Sequence, residues 1–193
     1  MRKAIIFIIP VLLLAFQAAT QELPRVEMQT ELGIILVEID TINAPLTATN
    51  FLQHVEAGTY KNACFYRVVR LDNQPNNDVK IQVIQGGMYT EPRFETIQPI
   101  AHETTEATGL KHLNGTMSMA RMEPGTASTE FFICVGDQPE LDFGGKRNPD
   151  GQGFAAFGQV ISGMDVVRKI QQQKDEQQTL VDKVKIKEIK TAF

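Results

Sequence analysis

The chain has 193 residues, 42% of them hydrophobic, and a formal net charge of −4. This length and apolar content suit one domain with its own core. The acidic balance argues against a protein that grips nucleic acid through its phosphates.

Residues 1–19 read as a secretory signal peptide. Arg2 and Lys3 give a basic start, Ala4 to Ala15 is an apolar run broken only by Pro10, and Ala18 and Ala19 are small residues at a cleavage point. The run is shorter than the roughly 20 apolar residues a membrane span needs. No stable membrane insertion is therefore expected after cleavage, and no Cys follows the run to carry a lipid. Its removal takes two basic and no acidic residues, leaving the domain 20–193 at a charge of −6 instead of −4.

Val26, Met28 and Thr30 alternate with polar residues, Glu31-Leu32-Gly33 makes a turn, and Ile34 to Ile39 alternates again, which predicts a hairpin. In "NAPLTATNFLQHVEAGTY", Pro45 suits a first helical turn. Ala48, Phe51, Leu52 and Val55 then fall on one helical face, and Gly58 suits the helix end. Phe65 to Val69 and Val79 to Ile84 read as two strands joined by a polar tip, Asp72 to Asp78. Residues 90–108 read as irregular. Thr116 to Ala120, Glu130 to Val135 and Phe154 to Ile161 read as further strands, with a Gly-rich loop over Asp142 to Gly153. Met164, Val166, Val167 and Ile170 predict a second short helix, and Val184 and Ile186 among lysines close the chain as a half-exposed strand. About eight short strands, two helices and no parallel βαβ unit favour a mainly β, closed antiparallel barrel whose ends the helices cap. Such a single domain is expected to act as a monomer.

Several chemistries are excluded. His54, His102 and His112 form no H-E-x-x-H motif, Cys64 and Cys134 have no C-x-x-C spacing, and neither G-x-S-x-G nor a P-loop occurs. No metal site is read. "FGGKRNPDGQGF" is Gly-rich, but a strand follows it, so it fails as a dinucleotide fingerprint. Asp150 reads as a turn former and Asn114, in a formal glycosylation sequon, as serving the backbone. The two cysteines read as buried thiols, although export would permit a disulfide. No nucleophile-base pair, metal cluster or cofactor box remains, so an enzymatic reaction here would need none of them. Rotation about a peptide bond is such a reaction.

Taken together the motifs resemble the cyclophilins, a family of peptidyl-prolyl isomerases. "APLTATNFL" is similar to that family's first helix, "FYRVV" with "VIQGG" to its catalytic strand pair, and "GLKHLNGTMSMAR" and "STEFFICVG" to the next two strands. "FAAFGQVISGMDVVRKI" is similar to the strand that enters the second helix. The likeness runs over nearly all of residues 25 to 190, in the family's order. It implies an eight-stranded antiparallel barrel capped by two α-helices, no cofactor, and unfolded or proline-containing polypeptides as partners. An exported member, periplasmic or secreted, would assist the folding of other exported proteins.

The resemblance also implies roles residue by residue. Arg67 falls on the catalytic arginine and Gln85 on the substrate-binding glutamine. Phe132 and Leu141 fall on the proline-pocket phenylalanine and leucine, and Val83 replaces the pocket's usual methionine. Ala120 and Arg121 fall on the pair whose backbone faces the substrate chain. Four positions depart from the pattern. Gln82 stands where an aromatic is usual, and Glu130 where a glutamine is usual. Pro139-Glu140 precedes Leu141 where many members carry tryptophan, and Phe154 stands where histidine or tyrosine is frequent. Glu130 is expected either to be exposed or to pair with Arg67 and orient its guanidinium. The tip at 71–78 is longer than the family's turn, and its Asn73, Gln74, Asn76 and Asn77 could offer amides to a passing peptide. The rival class is a non-catalytic proline-peptide-binding module on the same barrel. A third class, a small-ligand barrel such as a lipocalin, would require an open interior.

Overall fold

The computed structural model describes residues 22–88, 91 and 96–192. The expected signal peptide lies outside them. No helix among the described residues is long and apolar enough to cross a membrane.

The strands are β1 (Arg25–Thr30), β2 (Gly33–Ile39), β3 (Cys64–Val69), β4 (Val83–Gly87), β5 (Thr116–Met119), β6 (Phe131–Cys134), β7 (Ala155–Ser162), β8 (Asp175–Glu176) and β9 (Thr179–Ala192). Their order is β1-β2-β7-β5-β6-β4-β3-β9, and β9 pairs back onto β1. That closes an eight-stranded antiparallel barrel. The two-residue β8 is an addition to the expected eight: it forms a small hairpin with the start of β9. Among the described residues the α-helices number three where two were expected. The two long ones are α1 (Pro45–Glu56) and α3 (Met164–Gln171). Between them α2 (Thr105–Thr108) is a single turn, capped by the Thr104 side chain, in a stretch that reads as irregular from sequence.

An eight-stranded barrel is just wide enough for side chains to fill it, and this one is filled. Phe51 on α1 projects into the interior. Its ring centroid lies 5.4 Å from Tyr60, 6.0 Å from Phe131 and 5.2 Å from Phe157. Val166, Val167 and Ile170 of α3 join the same core. A packed aromatic centre leaves no room for a barrel-bound ligand, which removes the lipocalin class. Ala44 offers α1 no side-chain cap. The Glu103 carboxylate serves instead, accepting from the N–H groups of Leu46 at 3.2 Å and Thr47 at 2.6 Å, where a negative charge suits the helix dipole.

A second, smaller apolar cluster comprises Val69, Ile81, Val83, Phe132, Cys134 and Leu141, with Ala120 and Phe154 packed against it. Strand alternation separates the two clusters: Phe131 and Ile133 face the main core, Phe132 and Cys134 the other. Cys64 and Cys134 are both buried, on β3 and β6, with no disulfide between them.

The strand expected over Val79 to Ile84 begins only at Val83. The alternation is real, since Ile81 and Val83 are both buried in the second cluster. Side-chain amides take the place of ladder bonds. Ile81 N–H donates to Gln74 Oε1 at 3.3 Å, and Gln82 N–H donates to Gln138 Oε1 at 3.1 Å. Gln74 is fully buried and its Nε2 donates to the carbonyls of Arg70 and Ile81 at 2.7 and 2.8 Å. It therefore holds the polar tip together from within.

Candidate active site

An arginine at the centre of an apolar strand should point into the core on every second residue, where its charge would cost several kcal/mol. A β-bulge resolves this. Phe65 pairs with Gly86 and Arg67 with Gln85, so Tyr66 is an extra residue on β3. The bulge resets the alternation, as bulges do. Phe65 and Val68 face the core, whereas Tyr66 and Arg67 both face outward and are half-buried.

The guanidinium of Arg67 is held on two sides. Nη1 donates to Gln85 Oε1 at 2.7 Å. Nε and Nη2 donate to Gln178 Oε1 at 3.2 and 2.6 Å. Burial first, and the nearby Arg147 guanidinium second, pull the Arg67 pKa below the ordinary arginine value, with Tyr66 opposing. An arginine remains cationic all the same.

Gln85 is itself anchored: its Nε2 donates to the Tyr66 hydroxyl at 2.8 Å, and that hydroxyl donates to Glu130 Oε2 at 2.6 Å. Burial and the Glu130 charge push the Tyr66 phenol well above its usual range, so it keeps its proton. Glu130 is neither exposed nor the orienting partner of Arg67. It is 7% exposed, and its Oε1 accepts from Met88 N–H at 2.6 Å and from Thr129 Oγ1 at 3.3 Å. Gly87 leaves it space: a Cβ there would fall 2.5 Å from Glu130 Oε1. Glu130 thus steadies Arg67 at two removes, through Tyr66 and Gln85.

Two cavities meet at Arg67. One, of about 260 Å³, is floored by Val83, Phe132 and Leu141 and walled by Ile81, Phe154, Arg147 and Asn148. The other, of about 500 Å³, is bordered by Tyr66, Glu130, Ser128, Thr126 and Lys183. Arg67, Gln85, Ala120, Arg121 and Met122 line both, so together the cavities form one groove divided by the guanidinium.

Of the ten residues expected at the site, nine are brought together here: Arg67, Gln85, Val83, Ala120, Arg121, Glu130, Phe132, Leu141 and Phe154. Gln82 is the exception and lines neither cavity. Its neighbours Ile81 and Val83 face the groove, so alternation turns Gln82 the other way, and its carbonyl accepts from Val135 N–H. Arg121 places its side chain as a strut. It donates to Gly153 O and to both Asp150 oxygens, and lies 5.2 Å from the Phe154 ring centre. Asp150 also accepts from Gln152 N–H, in a turn. Asn114, likewise, accepts from Gly136 N–H at 2.9 Å.

Beneath the smaller cavity the fold assembles a Ser–His–Asp line that the sequence does not reveal. His112 Nδ1 lies 2.8 Å from Asp142 Oδ1, and Nε2 lies 2.9 Å from Ser118 Oγ. Burial pushes the Asp142 carboxyl up, but hydrogen bonds from His112 outweigh it and hold it below its usual range. Ser118 is fully buried, so it cannot reach a substrate carbonyl. The line supports the pocket instead, because the His112 ring stacks on Phe132 at 5.9 Å.

Sequence reasoning also missed Tyr66, Ile81, Arg147 and Gln178. For Tyr66 the signal was available: Phe65 and Val68, three apart and both apolar, imply a bulge between them.

Residues 25–191 match the family described as cyclophilin type peptidyl-prolyl cis-trans isomerase/CLD. The chain is similar to the peptidyl-prolyl cis-trans isomerase cyp18 of Streptomyces antibioticus, at 38% identity over 148 residues, which covers 75% of this chain and 81% of that protein. Similarity to peptidyl-prolyl cis-trans isomerase B of Escherichia coli (strain K12) is also 38%, over 149 residues, 75% of this chain and 82% of the relative. A crystal structure of a cyclophilin-type isomerase from Cryptosporidium parvum aligns with a TM-score of 0.71 at 23% identity, covering 89% of this chain and 98% of the other, a likeness of fold.

Proposed function

Since the chain belongs to the cyclophilin-type peptidyl-prolyl cis-trans isomerases, we propose that it turns X–Pro bonds in exported polypeptides and so assists their folding, with Arg67 as the donor that meets the rotating nitrogen. The observation that carries this is the place of Arg67: a fixed cation at the wall between an apolar pocket and an adjoining groove.

The planar X–Pro amide is held by resonance, with a barrier of about 18–20 kcal/mol. Rotation ends that resonance. The proline nitrogen becomes pyramidal and gains a lone pair, and the carbonyl loses polarity. An apolar pocket therefore favours the twisted state, and an N–H donor beside the nitrogen bonds a lone pair the planar amide lacks. This is binding that exists in the transition state alone, the kind that raises turnover. Val83, Phe132, Leu141 and Phe154 hold the ring in the smaller cavity. Gln85 and the backbone at Ala120 and Arg121 hold the flanking chain.

A guanidinium has five N–H donors. Nε, one hydrogen of Nη1 and one of Nη2 are engaged by Gln85 and Gln178, which leaves one on each Nη. One charged hydrogen bond contributes about 1.5–3 kcal/mol. An acceleration of about 10⁵ needs roughly 7 kcal/mol. Pocket and orientation supply the difference.

The export part rests on the basic, apolar and small-residue order of residues 1–19. Two measurements test the whole. Mature protein should accelerate cis-to-trans conversion of a proline tetrapeptide, and absence of acceleration would refute the assignment. Residues 1–25 fused to a reporter active only outside the cytoplasm should give signal and a cleaved product; a silent, uncleaved fusion would refute export.

A further inference from the structure

Arg67 is gripped on its second side by a residue with an unusual backbone. Gln178 has φ +74, the left-handed region that glycine occupies freely and other residues at a cost. Every polar group of Gln178 is used. Its N–H donates to Asp175 Oδ2 at 2.9 Å, and its C=O accepts from Val68 N–H at 2.9 Å. Its Oε1 receives Nε and Nη2 of Arg67, and its Nε2 donates to Asn73 O at 3.1 Å.

Asn73 ties this grip to the polar tip. Its Oδ1 accepts from Arg70 N–H, and its Nδ2 donates to Val68 O and Asp175 Oδ2. Asp175 also pairs with Arg70. With Gln74 buried, two of the four amides that might have met a passing peptide are spent on the scaffold. The tip and the β8–β9 hairpin together form a brace behind Arg67.

We propose that Gln178 is a positioning residue for the isomerase reaction, seated by the tip through Asn73. It fixes the plane of the Arg67 guanidinium, so that the one remaining hydrogen on each Nη faces the groove. An arginine held only by Gln85 could swing about that single bond and would spend less time aimed at the nitrogen. The planar ground state offers no lone pair, so binding of the peptide would change little. The proposal rests on Arg67 acting as the donor in an isomerase.

Gln178→Gly is the test, because glycine suits φ +74 and the hairpin keeps its backbone bonds. We expect kcat on a proline tetrapeptide to fall about fivefold or more, with KM within about twofold and the thermal midpoint unchanged or higher. In an Arg67→Lys background, which has no fork to orient, Gln178→Gly should change kcat by less than about twofold. A wild-type kcat in Gln178→Gly, a loss confined to KM, or an equal loss in both backgrounds would overturn the proposal. A lowered thermal midpoint accompanying the loss would assign Gln178 to the scaffold and also overturn it. An inactive parent protein would instead refute the isomerase reading itself.

Discussion

Arg67→Ala separates chemistry from architecture, because the bulge puts the side chain outside the barrel. The substitution removes the two guanidinium hydrogens left over after Gln85 and Gln178 are served. If one of them bonds the pyramidal nitrogen, the loss is one charged hydrogen bond, about 1.5–3 kcal/mol. That corresponds to a fall in kcat/KM of about 10- to 150-fold at 25 °C. The stability cost should be small. Gln85 Oε1 and Gln178 Oε1 each lose a donor, but Gln85 borders the open groove and Gln178 is only half-buried, so water can replace it, while the desolvation of a cation is no longer incurred. A change in unfolding free energy within about 1 kcal/mol is expected. Exchange spectroscopy on a short X–Pro peptide measures the rate without a coupling protease, and urea denaturation gives the stability. An unchanged rate would refute the donor mechanism. A fall in rate that tracks a large loss of stability would refute the separation of site from scaffold.

The packing and the ion pairs carry further expectations. Phe51→Ala should open a cavity at the aromatic centre and cost about 3–5 kcal/mol, lowering the thermal midpoint by roughly 6–20 °C at about 2–4 °C per kcal/mol with kcat of the folded protein unaltered; a drop below about 3 °C would contradict the packing described. Asp142 and Asp175 are each raised by burial but lowered further by their hydrogen bonds, from His112 and from Arg70 with Gln178 and Asn73. Their stabilisation is therefore complete above the ordinary carboxylate pKa and lost as pH falls through the lower folded values, so a fall in the midpoint below about pH 4 is expected, on top of a shallower decline below the ordinary histidine range from His54, whose pKa burial lowers. A midpoint that does not fall below about pH 4 would refute this. Cyclosporin should bind weakly, because Pro139 and Glu140 form a 3-10 turn beside Leu141, where the resembled family often presents a tryptophan; tight inhibition in the peptide assay would refute this.

The barrel was legible because its signals are local and repeated. The β1–β2 hairpin, Pro45 and the helical spacing of Ala48, Phe51 and Val55 all fall where expected. Leu52 is only half-buried. The pocket floor followed from residue resemblance. What escaped depends on side-chain partners outside the local pattern. Ile81 and Gln82 show a strand's alternation, yet their N–H groups bond Gln74 and Gln138 side chains, which periodicity does not report. Gln178 belongs to a polar run whose composition says only turn, and its contact with Arg67 spans a separation of 111 positions. Glu130 looked like a partner for the arginine by charge. Its burial behind Tyr66 comes from the bulge, a shift of one residue that is written in spacing and not in composition.

The pairing of the first strand with the last has a consequence for how the molecule comes into being. Until β9 is available, the sheet has two open borders, β3 and β1, each a row of unsatisfied backbone groups able to recruit a strand from another chain. Closure also joins segments at opposite ends of the polypeptide, which places folding among the slower, non-local topologies. A chain that emerges N-terminus first therefore keeps both borders unsealed until β9 arrives, and that strand acts as the latch. Shortening that strand from its C-terminal side would unpair β1 and bare its edge well before it reached Lys183 or Thr179 of the groove.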